Sequence, residues 1–308
     1  MIVPTVRRTV RERALLDAGD HVLVACSGVP DSTVLLHVLH RLRNELGFTL
    51  CVACIDHGLR PESAEEVRQV EMFAGTLGLP FVSAKVDVGA DGGSIQARAR
   101  ERRYEALHEL KAQQSATRIA VGHTRDDQAE TVLGRLLRGS GVRGLAGIEP
   151  KRADGVVRPL LDCKRDAVRR YAVEHALPFA DDPSNHEVAF ERVRLRHEVL
   201  PVLVAEDPRL IEHLAALADE AAELQAFVAA QAPAVPEGQA AALDVDALLI
   251  LEPPVRLHWI REWIALRTGL IPNRAHLTQI GQLLQSGGEV LLGSGWSVSR
   301  GERGLTLE

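Results

Sequence analysis

The stretch Val22-Leu23-Val24-Ala25-Cys26-Ser27-Gly28-Val29-Pro30-Asp31-Ser32-Thr33 decides the fold. Val22 to Ala25 is an unbroken apolar run, the pattern of a strand buried on both faces. Beyond Val34 the apolar residues at 35, 38, 39 and 42 follow helical spacing. Between the two lies a tight polar loop in which Ser27, Ser32 and Thr33 offer hydroxyls. The first amides of the new helix have no partner within it, and the helix dipole places its positive end there. Such a junction suits an anion, phosphate above all. An ordinary strand-to-helix turn with a Ser/Asp cap has the same local pattern, so the loop alone does not choose between them.

Outward from this junction the chain alternates. A helix is predicted over residues 5–17 before the first strand and another over about 32–45 after it. Strands follow at Thr49–His57, Phe81–Val86, Arg118–Gly122 and Val156–Leu160. Helices fall between them at about 62–77, 94–112 and 126–138, with one more at 164–176. Strands alternating with helices predict an α/β domain with a parallel sheet and right-handed crossovers. After about residue 205 the composition becomes Ala- and Leu-rich, with helices predicted at 209–230, 254–267 and 273–285 and a final β-ribbon around Trp296 and Leu305–Leu307. The expected division is 1–205 for the α/β domain and 206–308 for a smaller, mainly helical one.

The 308 residues suffice for two domains, and 25% charged with 46% hydrophobic residues is ordinary for a globular protein. No apolar run reaches the length of a membrane span, and no secretory signal is visible, so a cytoplasmic location is expected. Four cysteines make no disulfide framework. The net charge of −6 argues weakly against nucleic acid. Residues 95–145, however, carry ten Arg/Lys against six Asp/Glu, and a local basic face is enough for phosphate contacts.

A second informative stretch is Gly122-His123-Thr124-Arg125-Asp126-Asp127-Gln128-Ala129-Glu130-Thr131. It follows a predicted strand, at the sheet edge where open α/β folds bind ligands. Asp126, Asp127 and Glu130 share one face of the new helix. Such acids bind Mg²⁺ or accept an ammonium group, though acids at a helix N-terminus also simply complement its dipole. Arg98, Arg100, Arg102 and Arg103 put several cations on one helix, suited to clamping phosphate or to a solvated face. Gly139-Ser-Gly141-Val-Arg-Gly144 matches G-x-G-x-x-G but follows a helix rather than a strand, so it is not a dinucleotide fingerprint. Cys51 and Cys54 lie in one strand with side chains expected on opposite faces, which favours buried thiols over a metal pair.

Together these motifs are specific. Ser27-Gly28-Val29-Pro30-Asp31-Ser32 resembles the S-G-G-x-D-S loop of the N-type ATP pyrophosphatases. Asp56-His57-Gly58-Leu59-Arg60, Arg103-Tyr104, the His123–Thr131 stretch, Arg138-Gly-Ser-Gly141, Gly144–Ile148, Arg158-Pro-Leu-Leu161 and Asp182-x-Ser-Asn185 follow in the order of the tRNA(Ile)-lysidine synthetases. The resemblance covers about residues 20–203. Residues 210–308 resemble that family's smaller C-terminal domain in length and helical character, as in a short form of the family.

The resemblance implies an adenine nucleotide hydrolase-like parallel sheet. It also implies ATP-dependent ligation of L-lysine to the wobble cytidine of the CAU-anticodon tRNA(Ile). There the cytosine carbonyl oxygen attacks the α-phosphorus of ATP and releases pyrophosphate, and the lysine amine then expels AMP. On that basis Ser27, Gly28, Val29, Pro30, Asp31, Ser32 and His57 are expected to bind ATP, with Asp31 and Asp127 holding Mg²⁺. Asp127 and Glu130 are expected to orient the lysine ammonium, one of them taking its proton, while His123 and Arg103 stabilise the adenylated base or its phosphate. The second domain and the basic 95–145 face are expected to grip tRNA, and a homodimer is one compatible assembly. Two other readings stay open: a related tRNA thiolase, which needs cysteines at the site, and a non-catalytic nucleotide- or tRNA-binding protein. Val29 bears on the latter, because it stands where the pattern has glycine, and Val193 stands where relatives have asparagine.

Overall fold

Strand β1 (His21–Ala25) is the centre of the first half of the protein. In the computed structural model, which describes residues 2–56, 63–86, 95–180, 191–236, 242–301 and 304–308, it pairs in parallel with β2 (Thr49–Asp56) on one side and β4 (Arg118–Ala120) on the other. Strands β3 (Phe81–Lys85) and β5 (Val156–Val157) complete a five-stranded parallel sheet of order β3-β2-β1-β4-β5. Strand order reverses at β1, so a crevice opens beyond the C-terminal ends of β1 and β4. The loops leaving these two strands are the two stretches that the sequence singles out.

Helices cover the sheet: α1 (Ile2–Glu12), α2 (Pro30–Leu46), α3 (Ser63–Thr76), α4 (Ile95–Gln113) and α5 (Arg125–Leu137). After the short α6 (Val142–Leu145) come α7 (Arg165–Glu174), α8 (Glu191–Arg194), a π-helical turn at Leu195–Val199 and α9 (Leu200–Glu206). Strand β2 shows why the sheet is buried on both sides. Leu50, Val52 and Cys54 pack with α1, α2 and α7, whereas Cys51 and Ala53 join Leu107 and Leu110 of α4. The period of two thus sends Cys51 and Cys54 to opposite faces, as the spacing predicts. Helix α1 begins and ends earlier than the expected 5–17. Ala14 takes a left-handed turn (φ 46°), and Asp20 accepts the Asp17 N–H at 2.8 Å to tighten the entry to β1.

The chain divides into two compact units, residues 1–138 with 147–218 and residues 139–146 with 219–308. This differs from a cut at 205. Helix α10 (Leu210–Gln231) runs through the division without a break, and composition does not mark a boundary inside a continuous helix. In the second unit, after the short α11 (Val245–Ile250), Trp259, Ile260, Trp263 and Ile264 of α12 (Pro253–Thr268) pack with Leu277, Ile280 and Leu284 of α13 (Arg274–Ser286). The expected terminal ribbon is a four-stranded antiparallel sheet. Strands β7 (Gly288–Gly293), β8 (Trp296–Arg300) and β9 (Gly304–Leu307) are joined by β6 (Leu243–Asp244), which lies against β9. Two residues are too few to show an alternation, which is why β6 is silent in the sequence. No helix among the described residues is long and apolar enough to cross a membrane.

Candidate active site

The loop after β1 is built by one hydroxyl and one glycine. The Cys26 N–H still donates to the Ala53 carbonyl at 2.9 Å, so the sheet holds the loop's entry. Gly28 has φ +81°, a conformation that favours glycine. Its carbonyl accepts from Ala180 N–H at 3.0 Å. Ser32 Oγ donates to the Val29 carbonyl at 2.9 Å and accepts the Ser27 N–H at 3.1 Å, folding the loop back over the start of α2. Val29 itself caps α2 with φ −77° and ψ 158°, ordinary extended backbone, and Pro30 occupies the first turn. The valine therefore causes no backbone strain, and the glycine requirement falls on Gly28 alone.

Asp31 sits in the first turn of α2, and its Oδ1 is buried without a hydrogen-bond partner among the described residues. Burial, reinforced by the charge of Asp127, pushes its carboxyl up to about 7. A carboxylate oxygen left unpaired inside a phosphate-type loop fits a divalent cation. Gly122, just beyond β4, faces this turn from across the crevice. A Cβ there would lie 3.1 Å from the Asp31 carbonyl carbon and 3.2 Å from Ser32 N, so the two loops approach backbone to backbone.

The second loop closes differently. Thr124 caps α5, its N–H and Oγ donating to Asp127 Oδ2 at 2.7 and 2.8 Å in a capping box. Asp127 Oδ1 accepts from Arg165 Nη2 (2.7 Å), Arg192 Nη2 (2.8 Å) and Arg196 Nη2 (3.3 Å). Glu130 accepts from Arg165 Nη1 (2.8 Å), Arg196 Nε (2.7 Å) and Nη2 (3.0 Å), and Arg192 Nε (3.0 Å). Asp126 binds the Arg165 main-chain N–H at 2.8 Å and so caps α7. Burial alone would raise both Asp127 and Glu130. The arginines outweigh it and hold both carboxyls below the usual range.

The arginines favour the ionised form of both Asp127 and Glu130, which makes proton uptake by either harder than by a free carboxylate. Asp127 has both oxygens engaged by protein donors, whereas Asp31 keeps Oδ1 without one. Among the described residues no cluster of three or more His, Cys, Asp or Glu is placed to hold a metal. Three guanidinium groups on two carboxylates leave an excess of positive charge, which suits an anion.

His123, between the loops, accepts the Arg158 Nε–H on its Nδ1 at 3.2 Å. Burial drives its pKa down to about 3, with Arg158, Arg192 and Arg100 adding to the effect against the pull of Asp127. The ring is neutral throughout the physiological range. Arg103 has its pKa lowered by burial and by the nearby Arg100 and Arg192, and its guanidinium lies 5.8 Å from the Tyr104 ring. Arg100 and Arg152 lie 5.3 and 5.1 Å from the same ring. Both loops, with Arg100, Arg103 and Tyr104, line one open cavity of about 700 Å³, within the ordinary range of small-molecule sites. Ser27, Val29, Pro30, Asp31, Ser32, Arg103, His123 and Asp127 all border it, as do Arg165, Arg169 and Val193. His57 lies outside the described residues, as does the Asp182–Asn185 motif.

Arg165, which binds both acids, is not among the residues that the sequence motifs pick out. The signal was available in principle: two buried carboxylates need cations, and Arg165 opens a helix directly after β5. All four cysteines are free and buried, and burial pushes Cys51 up to about 11 and Cys54 and Cys163 up to about 12. Such thiols are poorly ionised, which disfavours sulfur chemistry here.

The chain is similar to known proteins in sequence and in fold. A family profile described as a PP-loop domain matches residues 4–203, and one described as a TilS substrate binding domain matches 243–302. The tRNA(Ile)-lysidine synthase of Solibacter usitatus is 43% identical over 216 residues, 70% of this chain and 48% of that protein. The tRNA(Ile)-lysidine synthase of Salinispora arenicola is 41% identical over 289 residues, 88% of this chain and 85% of that protein. The chain thus spans about half the length of the first relative and most of the second. Among solved structures, the U34-tRNA thiolase NcsA from Methanococcus maripaludis superposes with a TM-score of 0.61 at 17% identity, over 71% of this chain and 79% of that one. At that identity the likeness speaks to the fold alone.

Proposed function

The chain belongs to the tRNA(Ile)-lysidine synthase family, and from that premise we propose that it ligates L-lysine to the wobble cytidine of a CAU-anticodon tRNA(Ile) at the expense of ATP. The observation that carries the reading is the pairing of an open phosphate-type loop with an arginine-rich wall across one cavity.

In this reading the Ser27–Ser32 loop receives the β- and γ-phosphates with its amides and the positive end of α2. Asp31 holds Mg²⁺, which when bound supplies positive charge to the phosphate oxygens. Arg165, Arg192 and Arg196, fixed by Asp127 and Glu130, are directed around the phosphate chain as charge collects on the leaving pyrophosphate. His123 donates a hydrogen bond from a neutral ring, and Arg103 offers an unscreened cation to the α-phosphate or the base carbonyl oxygen. The lysine ammonium reaches Asp127 or Glu130 only where an arginine yields. Arg192, with 44% of its side chain exposed, is the outermost of the three.

The test is incubation of the full chain with ATP, labelled lysine and a tRNA(Ile) transcript bearing CAU. ATP-dependent transfer of label to the RNA, with AMP and pyrophosphate formed, is the expected result. Transfer of sulfur in a parallel incubation supplied with ATP and sulfide, with no transfer of lysine, or nucleotide binding without any transfer, would replace this reading with one of the two alternatives.

A further inference from the structure

Arg158 directly follows β5 and is 2% exposed. Its main-chain N–H donates to the Pro150 carbonyl at 2.9 Å, and its carbonyl accepts from Leu161 N–H at 3.2 Å. Its Nη1 donates to the Glu149 carbonyl. These bonds fix where the guanidinium lies, and its Nε–H is left facing His123 Nδ1 at 3.2 Å. A guanidinium has no lone pair to offer, so Nδ1 must be the acceptor. The ring proton is then confined to Nε2. Nε2 has no protein partner among the described residues, and His123 borders the cavity.

We propose that Arg158 is a positioning residue: by donating its Nε–H to Nδ1 it locks His123 as the neutral Nε2–H tautomer, so that the cavity receives a hydrogen-bond donor aimed at a substrate oxygen. The proposal rests on the function proposed above, in which that oxygen belongs to the target cytosine or the α-phosphate. The tautomer decides the sign of the contact. With its proton on Nδ1 the ring would present a lone pair to the same oxygen and repel it. A buried arginine suits the task better than a carboxylate, which would demand the opposite tautomer.

The test is a ¹⁵N spectrum of the histidine rings in the uniformly labelled full chain, with His123 assigned by its loss in His123→Gln. The expected result is a bare Nδ1 and a protonated Nε2 in the unsubstituted protein. Arg158→Met keeps an unbranched side chain of similar reach but has no N–H to donate. It is expected to show mixed tautomers, with kcat for lysine transfer lowered about 10- to 100-fold and KM for ATP unchanged. A proton on Nδ1 in the unsubstituted protein overturns the proposal, and so does a folded Arg158→Met protein that keeps the pure Nε2–H form. Where that variant does not fold, the unsubstituted spectrum decides alone. The spectrum reads the Arg158–His123 pair without any turnover, so its outcome is separable from that of the lysine-transfer assay.

Discussion

The loops after β1 and β4 have the same topology and opposite electrostatics. Each leaves a parallel strand at the switch point, and each enters a helix that begins with acids. After β1, Asp31 keeps a buried oxygen unpaired and its carboxyl is raised to about 7. After β4, the Asp127 and Glu130 carboxylates are paired with arginines and their carboxyls are lowered. The lesson is that acids at a sheet edge have no fixed role. Asp31 keeps an oxygen without a protein partner, whereas Asp127 and Glu130 hold their arginines in place.

The largest effect is expected from breaking the satisfied side. Asp127→Ala strips one member from a buried ion cluster, a loss of about 3–5 kcal/mol. Denaturant melting should show the first unit weakened by that order, with lysine transfer abolished. An unchanged melting midpoint would mean that the arginines do not depend on Asp127.

Asp31→Asn should act in the opposite direction on stability. The folded carboxyl is raised above its unfolded value of about 3.9, so the folded state keeps a proton that the unfolded state has released. Stability therefore falls as pH rises from about 4 to about 7, by up to about 4 kcal/mol. Asparagine removes that slope, so the metal- and nucleotide-free variant should be the more stable protein at pH 8 while losing activity. Parallel pH–stability curves for the two proteins would contradict the unpaired oxygen.

Gly122→Ala probes the contact between the loops. Its methyl would press on the Asp31–Ser32 backbone, and overpacking of this kind costs about 1–3 kcal/mol. ATP affinity should drop with it, as calorimetry would show. The smallest effect is expected from Val29→Gly. At φ −77° the valine is unstrained, so glycine only adds freedom to the unfolded chain and costs at most about 1 kcal/mol. ATP affinity should stay as it is. A large gain would show that the isopropyl group, rather than the backbone, obstructs phosphate.

Much of this was legible in the residues. The apolar run at Val22–Ala25, the helical spacing after Val34 and the alternation of strands with helices lead to the parallel sheet. The two-residue period places Cys51 and Cys54 on opposite faces. The positions of both loops follow from the strand ends. Other features were hidden because their causes are remote. Arg165, Arg192 and Arg196 lie 35 to 69 residues beyond their acids, and no local pattern announces such a pairing. The sequence shows Asp127 and Glu130 sharing a face but not what that face meets. The φ of Val29 is likewise a property of the folded loop, set by Ser32 and by the start of α2.

The contrast between the two loops is tested most directly by a pH titration of the aspartate carboxyl carbons in ¹³C-labelled, metal-free protein, with signals assigned from Asp31→Asn and Asp127→Asn. The account predicts that the Asp31 carbon titrates near neutrality while the Asp127 carbon stays ionised down to the acid limit of the folded state. Asp127 titrating near neutrality, or Asp31 titrating like an exposed aspartate, would contradict it.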